Sequence, residues 1–179
     1  MNDVRVDVPF NVYHDYDAMT THLQALASAF PHLMQLESIG TTHRGRDIWA
    51  VSLTNHATGP EQDKPGFYLD AQIHAEEHAT SAVALYAVWH LLHEYGQDEE
   101  ITRLLDRQVV YVLPRINPDG AEYSLKAPYY AWCGNGRFAP GEEVSTGLTP
   151  QDLDGDGFIT TMRVPDPKGE WKVSDADSR

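Results

Sequence analysis

The succession of strand, helix and strand across residues 66–116 restricts the fold of this chain more than any other feature. Gly66 to Ile73 (GFYLDAQI) and Gln108 to Ile116 (QVVYVLPRI) are short, mainly apolar runs that read as strands. Between them, His78 to Tyr95 reads as a helix that is apolar around most of its circumference, through Ala79, Ala82, Val83, Leu85, Tyr86, Val88, Trp89, Leu91 and Leu92. A helix of that kind is expected to be buried against a sheet or other helices. Asp98 is placed to cap a shorter helix to Asp106, with Ile101, Leu104 and Leu105 facing inward. This order of elements predicts an α/β sandwich.

Upstream, Asp15 to Phe30 reads as a helix that Asp15 or Asp17 can cap, with Ala18, Leu23, Leu26 and Phe30 on its apolar face and Pro31 past its end. Met34 to Gly40 and Asp47 to Leu53 read as strands joined by a turn at Arg44-Gly45-Arg46. That pair predicts an antiparallel hairpin, so the fold class is α/β with a mixed central sheet flanked by helices. Asn55 to Gly66 reads as a polar loop and Asn117-Pro118-Asp119-Gly120 as a turn.

After Ser124 the character changes. Lys126 to Pro150 is rich in Gly and Pro with weak periodicity, and loops of that length are often functional when ordered. Gln151 to Arg179 contains an aspartate-rich loop, a short strand at Phe158 to Val164, and a hairpin turning at Pro165 to Gly169. The whole chain, 1–179, is expected to form a single domain, with an α/β core over 15–125 and a loop-rich segment over 126–179.

Twenty-seven acidic residues against 13 basic ones give a formal charge of −14. Nucleic acid and anionic membranes are poor partners for such a surface. Cys133 is the single cysteine, so no intrachain disulfide can form and the disulfide framework of small secreted domains does not apply. Residues 1–10 lack a basic start followed by an apolar run, and no apolar stretch approaches the ~20 residues that span a bilayer. The expectation from these features is a cytoplasmic protein.

His74-Ala75-Glu76-Glu77 lies where the strand of residues 66–73 gives way to the helix from His78. An imidazole and a carboxylate three positions apart can share a divalent cation, and zinc takes both ligand types. The C-terminal end of a strand is where α/β sheets place ligand sites. Two polar side chains buried there without partners would cost several kcal/mol.

Three segments together resemble the zinc metallocarboxypeptidases of the carboxypeptidase A-like family. They are Gly40 to Leu53 (GTTHRGRDIWAVSL), the strand, H-A-x-E and helix of Gly66 to Leu92, and Leu113 to Ser124 (LPRINPDGAEYS). The resemblance covers Asp15 to Ser124 in order and spacing. It implies that His74 and Glu77 are zinc ligands, and that the reaction is hydrolysis of the last peptide bond of a peptide or peptide-like substrate by metal-activated water. A different amide, such as a cell-wall peptide or an acylated amino acid, fits the same family. A second histidine ligand, an N-R pair and a late glutamate base complete the family's site. No histidine follows His93 here and no N-R pair follows Asn117-Pro118-Asp119-Gly120. The chain is therefore expected to be the N-terminal portion of a catalytic domain, with the active site incomplete within it and no catalytic residue identified.

Other residues admit competing readings. His74-Ala75-Glu76-Glu77-His78 also fits H-x-x-E-H, the inverzincin pattern, which requires both histidines on one helix. The strand before His74 argues against it, and His78 is expected near the metal without ligating it. His90 and His93 are expected as core or rim residues. Arg137 is the candidate for binding a substrate carboxylate, with Arg115 a weaker one, because a planar guanidinium matches a carboxylate bidentately. Arg46 and Cys133 are expected to be structural. Asp152, Asp154 and Asp156, followed by Gly157, match the start of a calcium loop, although its twelfth position, normally glutamate, is Arg163. Zinc, and calcium at this second site, are the expected cofactors. The rival to the hydrolase is a non-catalytic calcium-binding or interaction module on a degenerate hydrolase scaffold.

Overall fold

A computed structural model describes residues 5–126, 134, 152, 155–157 and 167–169. Helix α1 (Tyr16–Ala29) begins where the Asp15 carboxylate accepts the Ala18 N–H at 2.8 Å, and it buries Met19, Leu23 and Leu26. Strands β1 (Met34–Thr41) and β2 (Asp47–Leu53) form the expected antiparallel hairpin. Its turn needs a left-handed residue, which Gly45 supplies at φ 75°. Strand β3 (Gly66–Asp70), helices α2 (His78–Glu94) and α3 (Glu99–Arg107), strand β4 (Val109–Leu113) and helix α4 (Pro118–Leu125) follow in turn. No helix among the described residues is long and apolar enough to cross a membrane.

The four strands lie in the order β1-β2-β4-β3. β4 pairs antiparallel with β2 and parallel with β3, so the sheet is mixed. The core sits between sheet and helices. Val51, Leu53, Val110 and Val112 of the sheet cluster with Leu23 and Leu26 of α1, Leu85, Val88 and Leu92 of α2, and Leu105 of α3. Burying one such side chain contributes about 1.5–3 kcal/mol.

The structure departs from the sequence expectations in three places, each for a local reason. First, β3 ends at Asp70 and β4 at Leu113, short of Ile73 and Ile116. The two segments still run side by side, since the Ala71 N–H donates to Leu113 O and the Ile116 N–H to Ala71 O. Regular pairing stops because Gln72 takes a left-handed conformation, φ 54°. Second, Asn117 to Gly120 is not a free turn but the start of α4. Asn117 Oδ1 accepts the Gly120 N–H at 3.0 Å, and Pro118 stands where a helix has no use for an N–H. Third, α2 is not buried all round. Ser81, Ala84, Leu85, Val88 and Leu92 are enclosed, while Val83 and Tyr86 on the other side are exposed, as are Phe67 and Tyr68 of β3.

Candidate metal centre

The chain from Ala71 to Glu77 connects β3 to α2 at the C-terminal edge of the parallel strand pair. Thr80 closes this connection on itself. Its hydroxyl accepts the Gln72 N–H at 3.0 Å and donates to Glu77 O at 2.6 Å. Asn117 braces it from the side, because its backbone N–H donates to Gln72 O and its Nδ2 donates to Ile73 O at 3.3 Å. Both side chains that could ligate a metal project from this braced loop.

His74 Nδ1 lies 3.3 Å from Glu77 Oε1, and the two side chains are 45% and 44% exposed. A tetrahedral ion about 2.0–2.2 Å from each of two ligand atoms holds those atoms about 3.3–3.6 Å apart. The donor types, their separation and their access to solvent therefore fit zinc. Among the described residues, no group of three or more His, Cys, Asp or Glu side chains assembles as a complete metal site.

His78 faces the interior of the loop. Its Nδ1 is 2.8 Å from Gln72 Nε2 and its Nε2 is 3.0 Å from Ser124 Oγ. An amide nitrogen can only donate, so His78 accepts at Nδ1 and carries its proton on Nε2. Burial above all, and then the Arg115 charge, hold this imidazole below its ordinary pKa, which favours that neutral form. With both ring nitrogens engaged, and with α2 beginning only at His78, the two histidines do not form the paired face of an inverzincin helix.

Arg115 is not placed to meet a substrate. It is 5% exposed, and it donates from Nε to Gln72 Oε1 at 2.9 Å and from Nη2 to His14 O at 2.8 Å. Nη1 makes no hydrogen bond and lies 3.7 Å from Glu122 Oε1. Burial pushes the guanidinium down to about 10, so it stays charged at neutral pH. Arg46 is structural, as expected, through its ion pair with Asp119 at 2.6 Å. The same buried carboxylate accepts from Thr42 Oγ1 at 2.9 Å and from the Arg44 N–H at 3.1 Å. The hairpin turn of β1 and β2 is thereby fastened to the start of α4, and α4 through Asn117 to the loop of His74. Gly120 completes the joint, since a Cβ there would collide with the Asn117 side chain and the Gly134 carbonyl.

His93 lies partly buried at the rim of the core. Its Nε2 accepts the Val6 N–H at 3.1 Å and its Nδ1 lies 2.7 Å from Trp89 O, while His90 stacks on Tyr86. Arg137, Asp154, Cys133 and the strand expected at Phe158 to Val164 lie outside the described residues. In the aspartate-rich loop, the Asp152 carboxylate accepts the Gly155 N–H at 2.7 Å and the Gly157 N–H at 2.9 Å.

Residues 19–146 match the sequence model of a family described as zinc carboxypeptidase. The chain belongs to the zinc carboxypeptidase family. It is 28% identical over 113 residues to a zinc carboxypeptidase of Saccharothrix mutabilis subsp. capreolus, a match covering 63% of this chain and 26% of that protein. It is 31% identical over 118 residues to the inactive metallocarboxypeptidase ECM14 of Saccharomyces cerevisiae, covering 66% of this chain and 27% of the relative. The structure is similar to that of carboxypeptidase A from Helicoverpa armigera, with a TM-score of 0.59 at 25% identity over 70% of this chain and 30% of that one. The chain spans about a quarter of the length of these two curated relatives. Family membership implies zinc, and the α/β architecture with its mixed sheet is the fold of these zinc carboxypeptidases.

Proposed function

We propose that this chain contributes to a zinc-dependent metallocarboxypeptidase that hydrolyses the C-terminal peptide bond of a peptide or peptide-like substrate, and that His74 and Glu77 are two of its zinc ligands. The observation that carries the reading is the convergence of His74 Nδ1 and Glu77 Oε1 to 3.3 Å on a braced loop at the C-terminal edge of the sheet. When bound, zinc supplies Lewis-acid polarisation of a scissile carbonyl and lowers the pKa of a water toward ~7. The residues described here hold and orient. Glu77 brings a negative charge that offsets part of the cation's, His74 brings a neutral nitrogen donor, and Thr80 and Asn117 fix the backbone from which both extend. The site's partial exposure leaves room for a substrate to approach. Arg137 stays the candidate for orienting the substrate carboxylate, on the chemistry of its guanidinium and its place in the Gly- and Pro-rich stretch of sequence after Asn117-Pro118-Asp119-Gly120.

Metal analysis of the intact protein tests this. About one zinc per chain is expected in the wild type. Structural zinc sites with four ligands bind with about 10–16 kcal/mol, so losing one ligand is worth roughly 3 kcal/mol, or about a hundredfold in affinity. His74→Ala and Glu77→Ala should each weaken zinc binding by about that factor, measured by competition with a chromophoric chelator. Zinc content and affinity unchanged in both variants would overturn the assignment.

For the aspartate-rich loop we propose weak calcium binding by Asp152, Asp154 and Asp156. The Asp152 carboxylate accepts the backbone N–H groups of Gly155 and Gly157, which supports this reading. A calcium titration followed by thermal melting should raise the melting temperature at millimolar calcium, and Asp156→Asn should abolish the rise. A flat response in the wild type counts against the site.

A further inference from the structure

Beneath the His74 loop lies a buried polar cluster that no residue of the proposed ligand set explains. Gln72, two positions before His74, is 1% exposed and is the only described non-glycine residue with a positive φ, 54°. A glutamine gains nothing from that backbone conformation by itself, and left-handed geometry in a non-glycine residue persists only where its surroundings enforce it. Here the enforcement comes through the side chain. Gln72 Nε2 donates to Ala75 O at 3.0 Å and to His78 Nδ1 at 2.8 Å, which uses both of its protons. Gln72 Oε1 takes Arg115 Nε at 2.9 Å and stands 2.5 Å from Ser81 Oγ. The amide thus joins the middle of the loop, the first turn of α2 and the end of β4. Arg115 extends the same brace to His14 O, ahead of α1, and toward Glu122 on α4.

We infer that Gln72 and Arg115 are positioning residues for the metal site: Arg115 locks the Gln72 amide, and the locked amide fixes the left-handed turn that brings His74 and Glu77 together. The inference rests on the reading of those two residues as zinc ligands. Outer groups that orient ligands typically change metal affinity 10–100-fold when removed.

The test must separate positioning from bulk stability, because Arg115→Met alone leaves the buried Glu122 carboxylate with the exposed Lys126 ammonium, 3.6 Å away, as its remaining charge partner. The informative variant of the intact protein is Arg115→Met with Glu122→Gln, which removes both charges and keeps an acceptor for the Tyr16 N–H that now donates to Glu122 at 2.7 Å. The double variant should recover most of the melting temperature lost in the single one. Its zinc affinity should remain at least tenfold below wild type, with the visible spectrum of the cobalt(II)-substituted protein altered. Gln72→Gly serves as the second variant, because it keeps the backbone conformation while deleting the amide, and it should show the same loss of affinity. Zinc affinity within twofold of wild type in either variant overturns the inference. If His74→Ala and Glu77→Ala both leave zinc binding untouched, the ligand assignment fails instead, so the two failures are distinguishable.

Discussion

Replacing Asp119 by alanine is expected to destabilise the protein by about 3 kcal/mol, the lower end of the range for breaking a buried charge pair. The lower end applies because the Arg46 side chain is 21% exposed and can recover some hydration, whereas Asp119 is 2% exposed. The loss has three parts. Arg46 forfeits its partner, the Arg44 N–H forfeits its acceptor, and Thr42 Oγ1 forfeits a third bond to the same carboxylate. For a chain of this size the melting temperature should fall by about 6–12 °C. Asp119→Asn keeps the shape and one acceptor oxygen but gives up the charge, so its loss should be about half as large. A change under 2 °C in Asp119→Ala would show that the joint between the hairpin turn and α4 carries little of the stability.

Leu85→Ala should be similarly damaging, at about 2–5 kcal/mol. Leu85 is fully enclosed on the side of α2 that meets the sheet, among the clustered side chains of β2, β4, α1 and α3. The deletion removes favourable transfer of its methyl groups and leaves a cavity that neighbouring helices can only partly fill. Leu85→Met preserves the volume and should stay below about 1.5 kcal/mol. Because α2 carries the end of the His74 loop at its first turn, a loosened α2 should also lower zinc affinity, measurable on the same samples. Equal melting temperatures for the alanine variant and wild type would mean that this face of α2 is not the core described here.

The sequence made the element order readable because its signals are local. Asp15 and Asp98 cap the helices they precede, Gly45 turns the hairpin, and the apolar runs of β3 and β4 announce themselves by composition. The convergence of His74 and Glu77 followed from the strand-to-helix junction in the same way. What stayed hidden was non-local or against type. Nothing in the residues around Gln72 signals a left-handed glutamine, since its conformation is imposed by Arg115, Ser81 and His78. Arg115 offers the same guanidinium chemistry for a substrate carboxylate as Arg137, and its burial depends instead on His14 and Glu122, distant in the chain or on another element. Asn117-Pro118-Asp119-Gly120 carries turn and helix-start signals alike, and the asparagine cap decides for the helix. The pairing of Arg46 with Asp119 spans 73 positions, beyond the reach of any local pattern.

The strand order also sets a timetable for synthesis. β4 is the last strand described, yet it occupies a place between β2 and β3. On the ribosome the β1–β2 hairpin can close early, since its partners are neighbours, while β3 must wait with no mate until Leu113 has emerged. Pairing across so long an interval of chain is slow. The loop bearing His74 therefore reaches its final shape only after Arg115 and Asn117 have been translated, and a nascent chain arrested before them would present zinc with an unsupported pair of side chains.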